Sequence, residues 1–251
     1  MATIIIPSRF GSKRFKGKPL ALIAGKPMIQ RVYEQATKSK STSRVIVATD
    51  DRQIFDTVKS FSGEAVMTSD SLRSGTDRVA EAANILGLKP DEIVVNIQGD
   101  QPVFNHKVLD ELVLPFGNGD NDILMATLAL KINNIEEILS PKDVKVVFDN
   151  NNFALYFSRA QIPYPRDHQD SDTPLPDYYK HLGFYAYKKS FLDEISTLDS
   201  GRCENIEKLE QLRVLEAGFK IKVTITKHNA PGVDIPEDIE KIEEYLKNII
   251  N

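Results

Sequence analysis

The chain has 251 residues, 41% hydrophobic and 27% charged, a composition that suits one soluble α/β domain or a domain with a small insertion. Lys and Arg number 32 against 36 Asp and Glu, a net charge of −4, so the overall field argues against nucleic acid or an anionic membrane as partner. The single cysteine, Cys203, rules out an internal disulfide and fits a reducing compartment.

The opening residues read as strand rather than as a basic segment leading into an apolar leader. No apolar run approaches the ~18 residues of a membrane span. The expected location is the cytoplasm, with no membrane insertion. Residues 4–7 form the first predicted strand. The loop that follows, "RFGSKRFKGKPL", carries Gly11 and Gly17 among Arg9, Lys13, Arg14, Lys16 and Lys18. Glycines let backbone N–H groups point at an anion, and the basic side chains supply charge. In a mildly acidic protein such a loop points to a small anionic ligand, although a solvated basic turn has the same composition. It is not a Walker A loop, because Pro19 stands where Ser or Thr would hold magnesium.

Met28, Ile29, Val32, Tyr33 and Ala36 recur at helical spacing after Pro27. "RVIVAT" (44–49) and "AVMT" (65–68) read as the second and third strands. "SGTDR" (74–78) opens a helix over 76–88 that ends in a glycine. Ser74 or Thr76 caps it, and Arg78 and the exposed backbone at Ser74 and Gly75 can meet a base or phosphate. "EIVVNIQ" (92–98) is a fourth strand. Near-continuous apolar strands alternating with helices predict a mostly parallel sheet covered on both faces, with ligands beyond the carboxyl ends of the strands.

After that strand comes "QGDQP", where Asp100 is either turn chemistry or a metal-binding carboxylate. "VKVVFD" (144–149) and "ALYF" (154–157) flank "NNN" and predict a hairpin. "PYPRDHQDSDTPLPD" (163–177) reads as a mobile surface loop. "GFYAYK" (183–188) is a further strand, and the spacing predicts one helix over 204–218. "IKVTIT" (221–226) and a closing helix over 236–249 restore the α/β pattern. Asp234, in "GVDIPED", either caps that last helix or joins Asp100 on a metal.

Together IPSRFGSKRFKGKPL, VATDD, MTSDSLRSGTDR, VVNIQGDQP, VKVVFDNNNFALYFSRAQIPYPRD, YYKHLGFYAY, LEQLR and GVDIPED resemble the bacterial 3-deoxy-manno-octulosonate (Kdo) cytidylyltransferases. The resemblance covers essentially the whole chain in order. SRAQIPYPRD, KHLGFYAY and LEQLR distinguish that family from other sugar nucleotidyltransferases. One departure is Lys16, where a proline usually precedes GKPL.

The resemblance implies a three-layer α/β nucleotide-diphospho-sugar transferase fold spanning 1–251, with a smaller β element for sugar binding and dimerisation embedded around 143–215. It implies that Arg9, Gly11, Ser12, Arg14 and Lys18 cradle CTP phosphates, and that Ser74, Gly75, Arg78 and Gln98 address the nucleotide. Asp100 and Asp234 would hold Mg²⁺, with Lys18 steadying the α-phosphoryl charge. Arg159, Arg166, His181, Tyr187, Glu210 and Gln211 would line a sugar-acid pocket for Kdo or its 8-amino derivative. The implied reaction makes CMP-Kdo and pyrophosphate for lipopolysaccharide synthesis in a homodimer. Two rivals stand beside it. A sugar-1-phosphate nucleotidyltransferase or glycosyltransferase of the same fold needs a phosphate or acceptor site at Arg159, Arg166 and His181. A non-catalytic nucleotide-binding regulator needs no pairing of Asp100 with Asp234.

Overall fold

The computed structural model describes residues 1–11, 15–117, 122–166 and 176–250. In chain order it begins with β1 (Ala2–Ser8), a tight ribbon of β2 (Leu22–Ile23) and β3 (Lys26–Pro27), α1 (Met28–Ala36), β4 (Thr42–Thr49), α2 (Arg52–Ser60) and β5 (Glu64–Met67). Next come α3 (Gly75–Ile85), β6 (Ile93–Asn96), α4 (Lys107–Val113), β7 (Met125–Lys131) and α5 (Ile135–Leu139). The hairpin β8 (Lys145–Phe148) and β9 (Ala154–Ser158) precedes β10 (Tyr179–Lys188), α6 (Lys189–Thr197), α7 (Arg202–Glu207) and α8 (Leu212–Glu216). The described chain closes with β11 (Lys222–Thr226) and α9 (Asp238–Ile250).

The main sheet runs β11-β7-β10-β6-β1-β4-β5, with the β8–β9 hairpin attached beside β10. β1, β4, β5 and β6 are mutually parallel, while β10 runs antiparallel to both β6 and β7. β11 is parallel to β7. The expected mostly parallel α/β sheet is therefore present, with one reversed strand at its centre.

Two-residue alternation divides β1 between two apolar layers. Ile4 and Ile6 pack on one face with Ile29 and Val32 of α1, Ile54 and Val58 of α2, and Val108 and Leu112 of α4. Ile5 packs on the other with Val79 and Ala83 of α3, Phe191 of α6 and Leu212 of α8. This is a three-layer arrangement, because a strand buried on both faces needs helices on each side.

β1 is also where the sheet order changes direction, since the chain proceeds outward to β4 and β5 and then returns to β6 on the other side. β1 pairs with β6 only through Thr3, Ile4 and Ile5, whereas it pairs with β4 as far as Ser8. Pro7 lies beyond the last β6 partner, where its missing N–H costs no ladder bond. The carboxyl end of β1 thus has one open flank, the kind of crevice in which doubly wound sheets hold their ligands.

Two expected elements change. β10 starts at Tyr179, four residues before the predicted strand, and shows a register irregularity between His181 and Tyr185. The helix expected over 204–218 is two short helices, α7 and α8, separated at Lys208. Lys208 adopts φ 55°, ψ 45°, a left-handed conformation that ends α7 and turns Leu209, Glu210 and Gln211 out of helical register. Apolar spacing does not report such a break: Ile206, which carries the stripe on α7, is 71% exposed on a helix with no buried residue, whereas Leu212 and Val214 of α8 are buried. Residues 163–166 and 176–177 are the described ends of the expected surface loop, and its middle lies outside the described residues.

Candidate active site

A cavity of about 340 Å³ opens at the carboxyl end of β1. Its walls are Pro7, Ser8, Arg9, Lys18, Pro19, Leu72, Arg73, Ser74, Gly75, Arg78, Gln98, Gly99, Asp100 and Glu210. Five separate stretches of chain meet there. Gly99 permits part of this convergence. A Cβ at that position would lie 2.9 Å from Ser8 Oγ and 3.2 Å from the Pro7 carbonyl oxygen, too close for any larger residue without displacement.

Lys18 follows Gly17, whose φ of 72° turns the loop into a single 3₁₀ turn at Lys18–Leu20. Its Nζ donates to Asp100 Oδ2 at 2.6 Å and to the Val233 carbonyl at 2.9 Å. The Val233 N–H in turn donates to the Asp100 carbonyl at 2.9 Å. The segments bearing Asp100 and Asp234 are therefore stitched together, with an ammonium group lodged at their junction. Lys18 is mostly buried, while about a third of the Asp100 side chain stays open to the cavity, with exposures of 13% and 34%.

Beside Asp234 the backbone is capped from within the last helix. Asp238 Oδ2 accepts from the N–H groups of Asp234 (2.9 Å) and Ile235 (3.2 Å). Those two bonds hold the Asp238 carboxyl below its ordinary range against the opposing effect of burial.

Of the two caps its sequence allows, Ser74 is the one that caps α3, its hydroxyl accepting from the Asp77 N–H at 3.1 Å. Arg78 lines the cavity but is only 4% exposed. Its guanidinium donates to Asp50 Oδ2 at 2.8 Å, Thr68 Oγ1 at 2.5 Å and the Ser69 carbonyl at 3.2 Å. Arg78 thus ties the end of β4 to the segment after β5, which carries the cavity residues Leu72 and Arg73. Arg9 is exposed at the rim, and Gly11 lies two residues further along the same loop. Ser12 and Arg14 fall outside the described residues.

The helix break gives Glu210 its place. One of its carboxylate oxygens, Oε1, is buried without a hydrogen-bond partner. Burial pushes its pKa up, opposed by the Ser74 and Thr76 side chains and the Arg213 charge. Glu210 also borders a second, smaller cavity with Thr76, Tyr185, Tyr187 and Gln211. Tyr187 is fully enclosed and its phenol is held well above its ordinary pKa, chiefly by burial.

His181 sits further along the same strand. Its ring packs against Phe157 and Tyr185, with centroids 5.0 and 5.2 Å away, and its Nε2 is 2.9 Å from Thr127 Oγ1. Burial pushes its pKa down to about 3, so it is a neutral imidazole near pH 7. A row of rings, His181, Tyr185 and Tyr187, leads from the β8–β9 hairpin toward Glu210.

Arg159 and Arg166 are not among the residues lining either cavity. Arg159 donates through Nε to the Glu207 carbonyl at 2.8 Å and through Nη1 to the Pro141 carbonyl at 3.0 Å. Arg166 is exposed on the segment that follows, its N–H donating to the Tyr164 carbonyl at 3.1 Å. The structure thus gathers Arg9, Lys18, Ser74, Gly75, Arg78, Gln98, Asp100 and Glu210 around one cavity. It brings Asp234 to that cavity's edge and sets Tyr187 and Gln211 around the adjoining one. Pro7, Ser8, Leu72, Arg73 and Gly99 are wall residues that the motifs contained but chemistry did not single out. Only the Ser8 hydroxyl, buried without a partner, marks itself, and burial is invisible in sequence.

This cavity belongs to a nucleotidyltransferase. Residues 3–224 match the family model described as cytidylyltransferase, and the chain belongs to that family. Among curated relatives, a 3-deoxy-manno-octulosonate cytidylyltransferase of Desulfatibacillum aliphaticivorans is 56% identical over 246 residues, covering 98% of each chain. An 8-amino-3,8-dideoxy-manno-octulosonate cytidylyltransferase of Shewanella baltica is 50% identical, covering 97% of this chain and 98% of its own. A solved structure of CMP:2-keto-3-deoxy-manno-octonic acid synthetase complexed with CTP superimposes with a TM-score of 0.90 at 40% identity, covering 98% of both chains. The mostly parallel sheet covered on both faces, predicted from the first half of the sequence, is present in the fold shared with that protein.

Proposed function

We propose that this chain transfers CMP from CTP to the anomeric C2 hydroxyl of Kdo, releasing pyrophosphate and supplying CMP-Kdo for lipopolysaccharide synthesis. The observation that carries the reading is the Lys18–Asp100–Val233 junction at the open end of β1, in a chain of the cytidylyltransferase family. In the reaction the C2 oxygen forms a bond to the α-phosphorus of CTP, and the bond from that phosphorus to the pyrophosphate oxygen breaks. The hydroxyl proton passes to solvent. Catalysis of this kind is mainly positioning and charge stabilisation, and no protein nucleophile is required.

Lys18 and Arg9 line the cavity, and in this reading Lys18 meets charge developing on the α-phosphoryl oxygens while Arg9 takes the outer phosphates. Ser12, Arg14 and Gly11 complete the phosphate loop in this reading. Ser74, Gly75 and Gln98 border the nucleotide, and Arg78 shapes that wall through Asp50. Glu210, Gln211, Tyr187 and His181 form the sugar side, joined by Arg159 and Arg166 from the segment after β9. Two of these contribute no formal charge of their own there, since His181 is neutral and Tyr187 stays protonated. The planar fork of arginine therefore suits the sugar carboxylate better than the imidazole does.

Asp100 and Asp234 fit a divalent cation on their donor chemistry, and Mg²⁺ in particular. Both are hard oxygen ligands on stitched segments, and a cation, the Lys18 ammonium, already contacts both segments. Among the described residues no group of three or more His, Cys, Asp or Glu forms a metal cage, so phosphate oxygens would complete the coordination. A bound Mg²⁺ supplies neutralisation of phosphate charge and acidifies a coordinated hydroxyl.

The region around 143–215 forms the sugar side in this reading and supports a homodimer in the cytoplasm. Among the described residues no helix is long and apolar enough to cross a membrane. The test is purified protein with CTP and Mg²⁺ against Kdo, 8-amino-Kdo and sialic acid, following pyrophosphate. Release with Kdo is the expected result, release with 8-amino-Kdo alone would move the substrate to that derivative, and release with none would overturn the proposal.

A further inference from the structure

The corner after β9 is built unlike an ordinary surface turn. Glu207, the last residue of α7, accepts from Ser158 Oγ at 2.5 Å through Oε1 and from the Arg159 N–H at 3.0 Å through Oε2. Its carbonyl accepts from Arg159 Nε at 2.8 Å, and the Ser158 hydroxyl also accepts from the Ala160 N–H at 3.0 Å. One residue therefore receives three bonds from two successive residues of the corner.

A second anchor lies beneath. Lys145 is fully buried, and its ammonium donates to the carbonyls of Ser140 (2.7 Å), Asp143 (2.5 Å) and Arg159 (2.8 Å). A buried ammonium needs such acceptors to offset its lost hydration, so these bonds hold three backbone groups firmly. A third anchor is buried Tyr178, whose hydroxyl donates to the Pro163 carbonyl at 2.8 Å and accepts from Gln161 Nε2 at 2.9 Å. The segment from Ser158 to Pro163 is pinned at both ends before it reaches Arg166.

Glu207 also sits immediately before the left-handed residue Lys208, after which Glu210 enters the wall of the main cavity. We propose that Glu207 is a positioning residue for sugar-acid binding: it locks the Ser158–Ala160 corner to the α7–α8 break, so that Arg159 and Arg166 on one side and Glu210 and Gln211 on the other are held as one body. The proposal rests on the assignment of those residues to the sugar side, and it adds how the two halves of that side are kept in register.

The test has two arms. Hydrogen exchange needs no substrate. Glu207→Ala should speed exchange at the amides of Arg159 and Ala160 and, in step with them, at those of residues 208–213. Acceleration of one segment without the other, or of neither, would overturn the lock. The second arm is steady-state kinetics with CTP, Mg²⁺ and the sugar acid that the wild-type protein uses. Glu207→Ala should raise the sugar KM about tenfold while leaving the KM for CTP within about twofold. Glu207→Gln, which keeps one carboxamide oxygen as acceptor, should recover part of the loss, and Ser158→Ala should show a smaller rise. A purely structural role would lower thermal stability and the active fraction while leaving the sugar KM of the surviving enzyme unchanged, and that result would also overturn the proposal. Should Glu207→Ala fail to fold, the Gln and Ser158 variants give the same two readouts. A wild-type protein that releases pyrophosphate with no sugar acid would remove the functional reading and leave the exchange arm to decide the lock.

Discussion

Lys18 carries two duties that its position explains. In the free protein its ammonium is shared between Asp100 and the Val233 carbonyl. In the proposed reaction the same group would face the charge that grows during transfer, so Lys18→Ala should lower kcat by more than it raises the KM for CTP. Lys16→Ala, next to Gly17 on the same loop, should change both by little. Equal changes in KM alone for the two variants would contradict this division. His181 yields a prediction in pH. Its pKa is about 3 in the folded protein against about 6.5 in an unfolded chain, so the unfolded state binds the extra proton between those values. The stability associated with its neutral ring is complete above about pH 6.5 and is lost as pH falls through that window, by up to about 1.4 kcal/mol per unit. Glu210, whose pKa is raised, has the opposite sign, losing stability as pH rises above the ordinary Glu range. Urea midpoints between pH 4 and 7 should therefore fall less steeply for His181→Gln than for wild type, and identical slopes would show the ring to be solvated.

At the scale of elements, the α7–α8 break and the close approach of two loops are the features that build the cavity. Lys208 holds a left-handed conformation that costs a non-glycine residue about 1–2 kcal/mol. Lys208→Gly should therefore be neutral or stabilising by up to about 1 kcal/mol once the entropy of glycine is counted, and Lys208→Ile should destabilise, as read by denaturant unfolding. Equal effects of the two would mean that the break moves with the substitution. Gly99→Ala would place a methyl group 2.9 Å from Ser8 Oγ and 3.2 Å from a backbone oxygen that cannot swing aside. The 98–101 turn must then lift from β1 and carry Asp100 with it. We expect turnover to fall at least tenfold while the circular dichroism spectrum stays native, and unchanged turnover would show the turn to be free to shift.

For the whole molecule, the crevice exists because β1 stands where the sheet order reverses, with helices on both faces holding it there. A ligand that binds only this assembled arrangement stabilises the fold by mass action, about 2.7 kcal/mol at a hundredfold excess over Kd. CTP with Mg²⁺ should raise the Tm of wild type by several degrees, and CTP with a chelator by less. In Asp100→Asn or Asp234→Asn the increment due to Mg²⁺ should vanish and turnover should fall by orders of magnitude. Retention of the increment in both variants would remove the metal from these carboxylates.

The apolar runs of β1, β4 and β6 and the Ser74 cap were legible in the sequence, because strand burial and capping depend on neighbours a few residues apart. The motifs at Lys18, Asp100 and Asp234 were legible too, and Asp100 and Asp234 were readable as partners on chemical grounds. Tertiary structure alone decided that Lys18 joins them, 82 residues from Asp100 and 215 from Val233. It also decided that Arg78 is committed to Asp50 and that a helix with unbroken apolar spacing stops at Lys208. The periodicity of 204–218 counts Ile206 with Leu212 and Val214, yet Ile206 on α7 is exposed while the two residues of α8 are buried. The left-handed Lys208 turns Glu210 toward the cavity, and the Glu207 bonds to Ser158 and Arg159 beside it span about fifty residues, a contact that no local pattern encodes.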